Sequence, residues 1–142
     1  MKGSALKMLL IEDNAILAHA AHNSANQAGV YCIRHCFSTT HALAMNAQSA
    51  MQFDVAMLKY SSDIQIDLQH MNALHRQGKT RHFVIVGCYS YHQRRSLQIV
   101  ARTLELPLLG IIDLPLSSGH LRNLLEYIRD QPAASCLASH GR

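Results

Sequence analysis

The chain has 142 residues, 49% of them hydrophobic, which is enough for one domain with a sizeable core and too few for two. No apolar run reaches the roughly 18 to 20 residues of a membrane-spanning helix. The N-terminal MKGSALKMLLIEDN meets two acids before a secretion-signal core is complete, so a cytoplasmic protein is expected. The formal charge of +4 raises nucleic acid as a partner, but the basic residues do not form one stripe. His75, Arg76, Lys79, Arg81 and His82 precede an apolar run, whereas Arg94 and Arg95 follow it; in an alternating β/α fold these groups lie at opposite ends of the sheet, and nucleic-acid binding is not expected.

In chain order, KMLLI at 7–11 reads as a parallel strand covered on both faces. Asp13 or Asn14 can cap the alanine-rich helix NAILAHAAHNSANQ, which stops before Gly29. A strand at 31–36 (YCIRHC) leads to Ser38 or Thr39, either able to cap a helix over 41–52. Residues 53–58 form the third strand and end at Lys59; YSSDIQI then reads as a polar loop before the helix DLQHMNALHRQ, closed by Gly78. FVIVG at 83–87 is the fourth strand. The helix YHQRRSLQIVARTLE places Leu97, Val100, Ala101 and Leu104 on one face. LLGII at 108–112 is the fifth strand, and Ser117 or Ser118 caps GHLRNLLEYIRD, with Leu121, Leu124, Leu125 and Ile128 as its buried stripe.

Five strands alternating with five helices through short loops predict a doubly wound, flavodoxin-like α/β sandwich with strand order 2-1-3-4-5 and helices on both faces. In that order the C-terminal ends of the first and third strands share a crevice, which brings Glu12, Asp13 and Lys59 together across the long sequence gap between them. The domain is expected over 5–130, with 131–142, small and polar, as a flexible tail or the start of a linker. The four cysteines, 32, 36, 88 and 136, have no metal-ligand spacing and are expected to be reduced and mostly packed.

The ordered set IEDN, FDVAMLK, FVIVG and LLGIIDLPL resembles the receiver domain of bacterial two-component response regulators over about residues 5–130. The resemblance implies that the two metal-site acids are Glu12 and Asp13, and that the phosphorylated aspartate is replaced by Lys59. The family's Ser or Thr after the fourth strand falls on Gly87, or on Cys88 one residue later. Its lysine falls on Leu114, before the kept Pro115 of a cis bond, and its switch aromatic falls on Ile111. Each departure removes a part of phosphoryl transfer: the nucleophile, the hydroxyl and the ammonium that hold the phosphoryl oxygens. The chain is therefore expected to be a pseudo-receiver that acts by protein contact, with no cofactor, no catalytic residue and no metal. Glu12 and Asp13 are weak metal candidates, since adjacent acids at a strand end are also an ordinary charge arrangement at a helix N-terminus, and His19 and His22, i, i+3 on the first helix, have no third ligand nearby.

A second reading is a small α/β ligand-binding domain or enzyme that uses Lys59 in the same crevice as an amine nucleophile or an anion clamp; no paired general base supports it. The segment RRSLQIVARTLELPLLGIIDLPLS further resembles the end of receivers attached to cyclic-di-GMP phosphodiesterase domains of the EAL type, which implies an output domain beyond residue 142. A protein partner or a second copy is expected on the face of the fourth helix, fifth strand and fifth helix. Arg94, Arg95, Arg102, Ile111, Arg122, Glu126 and Arg129 are its candidate residues.

Overall fold

The computed structural model describes residues 5–129. Five strands, β1 (Lys7–Ile11), β2 (Cys32–Cys36), β3 (Val55–Lys59), β4 (Phe83–Val86) and β5 (Leu108–Ile112), form one parallel sheet of order β2-β1-β3-β4-β5. They alternate with α1 (Ala15–Gln27), α2 (Thr39–Ala47), α3 (Ile64–Gln77), α4 (Tyr91–Thr103) and α5 (Ser118–Arg129). The expected topology is the one observed.

Successive side chains of a strand point to opposite faces, and the near-continuous apolar strands use this to build two cores. Leu9, Ile11, Ala56, Leu58, Phe83 and Ile85 pack with Met71, Leu74 and Leu97 beneath α2, α3 and α4. Met8, Leu10, Val55, Met57, Val84 and Ile112 pack with Ala25, Leu121 and Leu125 beneath α1 and α5. Both layers are needed because a parallel sheet has no face it can leave to water.

The helix starts follow side-chain capping of orphan N–H groups. Asn14 accepts from Leu17 N, Ser38 from His41 N, and Ser117 from His120 N. Ser90 and Gln93 form a reciprocal capping box on α4.

Three expected boundaries shift. The helix expected over 41–52 starts two residues earlier and ends at Ala47, because the Lys79 ammonium donates to the carbonyls of Asn46, at 2.8 Å, and Ser49, satisfying the end of α2 from outside. α3 starts at Ile64, inside the segment expected to be loop, because the Asp63 carboxylate accepts from Gln65 N at 2.9 Å and Ile66 N at 3.4 Å. The third strand is offset by two residues at its start: Phe53 makes only an isolated bridge to Thr80, and β3 proper runs through Lys59. On α4 only Leu97 and Ala101 are buried; Val100 and Leu104, expected on the packing face, are exposed. Cys36 is buried and Cys32 half-buried, but Cys88 is exposed, and all three are free; Cys136 and the expected tail lie outside the described residues.

Candidate functional site: the Lys59 crevice

β1 and β3 are neighbours in register, Ile11 opposite Leu58, so the residues that leave their C-terminal ends meet above the sheet. Lys59 Nζ lies 2.9 Å from Asp13 Oδ1 and 3.1 Å from Glu12 Oε2. Glu12 is further held by its own surroundings. Its Oε2 accepts from Asn14 N at 2.9 Å, its backbone N–H donates to Cys36 O at 3.1 Å, and His35 Nε2 lies 2.7 Å from its carbonyl. The hydrogen bond from Lys59, followed by that involving Glu12, holds the Asp13 carboxyl below the ordinary carboxylate range, and the same contacts raise the Lys59 ammonium above the usual lysine value. Lys59 is thus a fixed cation between two anions, and the trio carries a net charge of −1.

The crevice beside this trio has a volume of about 430 Å³ and runs between Phe37 and Ser38 on one side and Ser61, Ser62 and His70 on the other. Its floor holds a network that the sequence reading did not single out. Asp67, on α3, is buried; it accepts from Ser61 N at 3.2 Å and from the hydroxyl of Tyr89, which lies in the β4–α4 connection. Tyr89 packs edge-on against Tyr60 with ring centroids 4.1 Å apart. Burial, and then the hydrogen bond to Asp67, push the Tyr89 hydroxyl well above the ordinary tyrosine range, so it stays a donor. Asp67 shares the inward stripe of α3 with Met71 and Leu74, at i, i+4 and i+7. An acid in that register was the sequence feature that could have revealed the network.

The remaining positions lie around the same strand ends. Gly87, Cys88, Leu114 and Pro115 line a second cavity on the α1 and α5 side of Lys59, and the Leu114–Pro115 bond is cis. Ile111 is buried on β5. Arg94 reaches across to the end of β5, donating to Ile111 O at 3.1 Å and pairing with Asp113. Arg95 and Arg102 are exposed on α4. Arg122 and Arg129 depart from the expected arrangement beside α4. Arg122 donates to Gln27 O, and Arg129 to Ala28 O at 3.4 Å and Gly29 O at 3.1 Å, so both serve the carbonyl-rich C-terminal end of α1. Glu126 lies 3.9 Å from Arg129 on the same helix.

No protein-family model and no curated protein matches the chain, but solved structures do. A response regulator from Colwellia psychrerythraea superposes with a TM-score of 0.68 at 12% identity, over 91% of this chain and 100% of its own. The chemotaxis protein CheY4 of Vibrio cholerae gives 0.66 at 15% identity, over 87% of this chain and 98% of its own. The fold is that of a response-regulator receiver domain. NtrX of Brucella abortus matches at 0.69 and 16% identity over 98% of this chain but only 30% of its own length, so there the same fold is one part of a longer chain. Among the described residues, no helix is long and apolar enough to cross a membrane, and no group of three or more His, Cys, Asp or Glu side chains is placed to hold a metal ion.

Proposed function

We propose that this chain is a receiver-like signalling module that works by binding other proteins and is not switched by aspartyl phosphorylation. The observation that carries the reading is the Lys59 ammonium, 2.9 Å from Asp13 and 3.1 Å from Glu12, at the position that the receiver resemblance assigns to the acceptor carboxylate. An ammonium cannot accept a phosphoryl group as an acyl phosphate, and it already neutralises much of the acid pair. The donor set does not fit Mg²⁺ either, since that ion needs several hard oxygen ligands and no cation between them. A protonated Lys59 is equally unsuited to act as an amine nucleophile, which weighs against an enzyme.

The module's output then runs through contact. The exposed Arg95 and Arg102 on α4 suit an acidic partner surface, or a second copy in a modest-affinity dimer. In NtrX this fold is one part of a longer chain, which supports an attached domain, and the sequence resemblance offers a C-terminal output domain of the EAL type as the candidate. A cytoplasmic location follows from this role. Incubation with acetyl phosphate and Mg²⁺, followed by intact mass measurement, is expected to give no stable phosphoryl adduct; an adduct in the crevice overturns the reading. Sedimentation over a range of protein and salt concentrations separates the dimer from a heterologous partner, because a strictly monomeric species excludes the former.

A further inference from the structure

The second cavity, of about 320 Å³, opens between α1, the C-terminal ends of β1, β3 and β4, and the segment between β5 and α5. Leu10, Leu17, Met57, Val86, Leu114 and Leu116 are among the residues that line it, and it is apolar almost throughout. This is the architecture of a small-molecule site: a concave apolar volume, here at the small end of the usual range of about 300 to 1,000 Å³, with a few polar groups at one end. Leu17 and Leu114, at 37% and 44% exposure, are apolar side chains in this wall that stay accessible to solvent, and an occupant would cover them.

The polar end selects the chemistry of that occupant. Glu12 and Lys59 are common to this cavity and to the crevice on the other side. An ammonium has three protons. Lys59 has two carboxylates within 3.1 Å, which leaves a donor for an incoming oxygen. The net charge of −1 on Glu12, Asp13 and Lys59 disfavours an anion at that oxygen's position, and the apolar wall disfavours a polar body. We infer that the cavity binds a neutral, largely apolar small molecule with one carbonyl oxygen, its hydrocarbon among Leu17, Met57 and Leu114 and its oxygen at the Lys59 ammonium. Such a ligand would give the module an input other than a phosphoryl group. The inference stands on the cavity and does not require that phosphoryl transfer be absent, so its test and the acetyl phosphate test fail separately.

The probe is 2-nonanone, compared with nonanoate of the same chain length, titrated into the ¹⁵N-labelled full chain at neutral pH. The expected result is saturable shifts of the Leu10, Met57, Val86 and Leu116 amides with the ketone, and binding weaker by about tenfold or more with the carboxylate. Leu114→Lys, which places an ammonium in the apolar wall at an exposed position, is expected to weaken the ketone about tenfold; Leu17→Gln, also exposed, should act in the same direction. Absence of saturation up to the ketone's solubility limit overturns the inference. So do shifts confined to another face, nonanoate binding as tightly as the ketone, or cavity resonances that move with protein concentration alone, which would mark a second copy as the occupant.

Discussion

A Cβ added to Gly87 would lie 2.0 Å from Tyr60 Cβ, far inside contact distance, so the ends of β3 and β4 approach one another at a spacing that only glycine permits. The approach is fixed by the sheet itself: Tyr60 N donates to Val86 O and Gly87 N to Ile112 O, each at 2.9 Å. The backbone at Gly87 also has φ of +157°, which adds strain for any side chain. A hydroxyl therefore cannot be placed at position 87 by a single substitution. Gly87→Ser is expected to cost about 3 kcal/mol or more, or to prevent folding. Tyr60→Ala will not rescue it, because the blocking atom is the β-carbon that alanine keeps. Chemical denaturation of the single and double variants tests this, and a rescue by Tyr60→Ala would contradict it.

Tyr89→Phe removes the hydroxyl that the buried Asp67 carboxylate accepts from, and leaves the Ser61 backbone N–H as the donor to that carboxylate among the described residues. A buried acceptor deprived of a donor loses roughly 1 to 3 kcal/mol. The expected outcome is a destabilisation in that range, with a coupling of about 0.5 to 3 kcal/mol in the double-mutant cycle with Asp67→Ala. Urea unfolding of the four proteins measures it, and additive effects would mean that the hydroxyl and the carboxylate do not interact.

The fold was legible because its evidence is repeated five times. Four of the strands are short apolar runs and β2 (CIRHC) is mixed, each helix has a cap or a glycine stop, and the crossover rule leaves one common strand order. The meeting of Glu12, Asp13 and Lys59 followed from that order alone. What escaped depended on single side chains acting at a distance. Lys79 ends α2 from more than 30 positions away, and Asp63 starts α3 within a stretch whose composition reads as loop. The arginines of α5 look like a free charged face in sequence, yet the carbonyls that end α1 claim Arg122 and Arg129. Val100 and Leu104 fit the helical period of α4, but both are exposed in the structure, and the burial of that helix rests on Leu97 and Ala101.

Burial pushes the His82 imidazole below its ordinary value, outweighing the opposing contact with Asp54 O at 3.3 Å. The unfolded chain, with the ordinary histidine value near 6.5, therefore takes up the proton first as pH falls. The stability associated with a neutral His82 is complete above that value and is lost progressively below it. His82→Gln should flatten the dependence of stability on pH in the window just below 6.5, relative to the unsubstituted protein. Asp13 acts lower, in a separate window: its carboxyl is held below its ordinary value of 3.8, so that contribution is present above 3.8 and fades only as pH falls further. Thermal melts from about pH 2 to 8 cover both windows and distinguish the two, and an unchanged slope in His82→Gln just below 6.5 would remove His82 as a cause.

Lys59→Asp is the substitution that asks whether a switch can be rebuilt by restoring its acceptor. It replaces the ammonium, 3.1 Å from Glu12 and 2.9 Å from Asp13, by a third carboxylate, so the three acids repel until a cation joins them. The variant is expected to be less stable than the parent without divalent ions, and to recover with millimolar Mg²⁺, which then has the hard oxygen ligands it needs. Recovery of the metal is not recovery of the switch. Leu114 supplies no ammonium for the phosphoryl oxygens, Gly87 supplies no hydroxyl and admits none, and Ile111 is an aliphatic side chain already buried against its core. Arg94, joined to Ile111 O and Asp113, and Tyr89, joined to Asp67, further tie α4 and the β4–α4 connection to the sheet in one arrangement. Beryllofluoride with Mg²⁺ should therefore shift amides near Glu12, Asp13 and position 59 in Lys59→Asp while leaving those of β5 and α4 in place. Shifts that spread to β5 would establish that the two-state element survives and that only the acceptor had been lost.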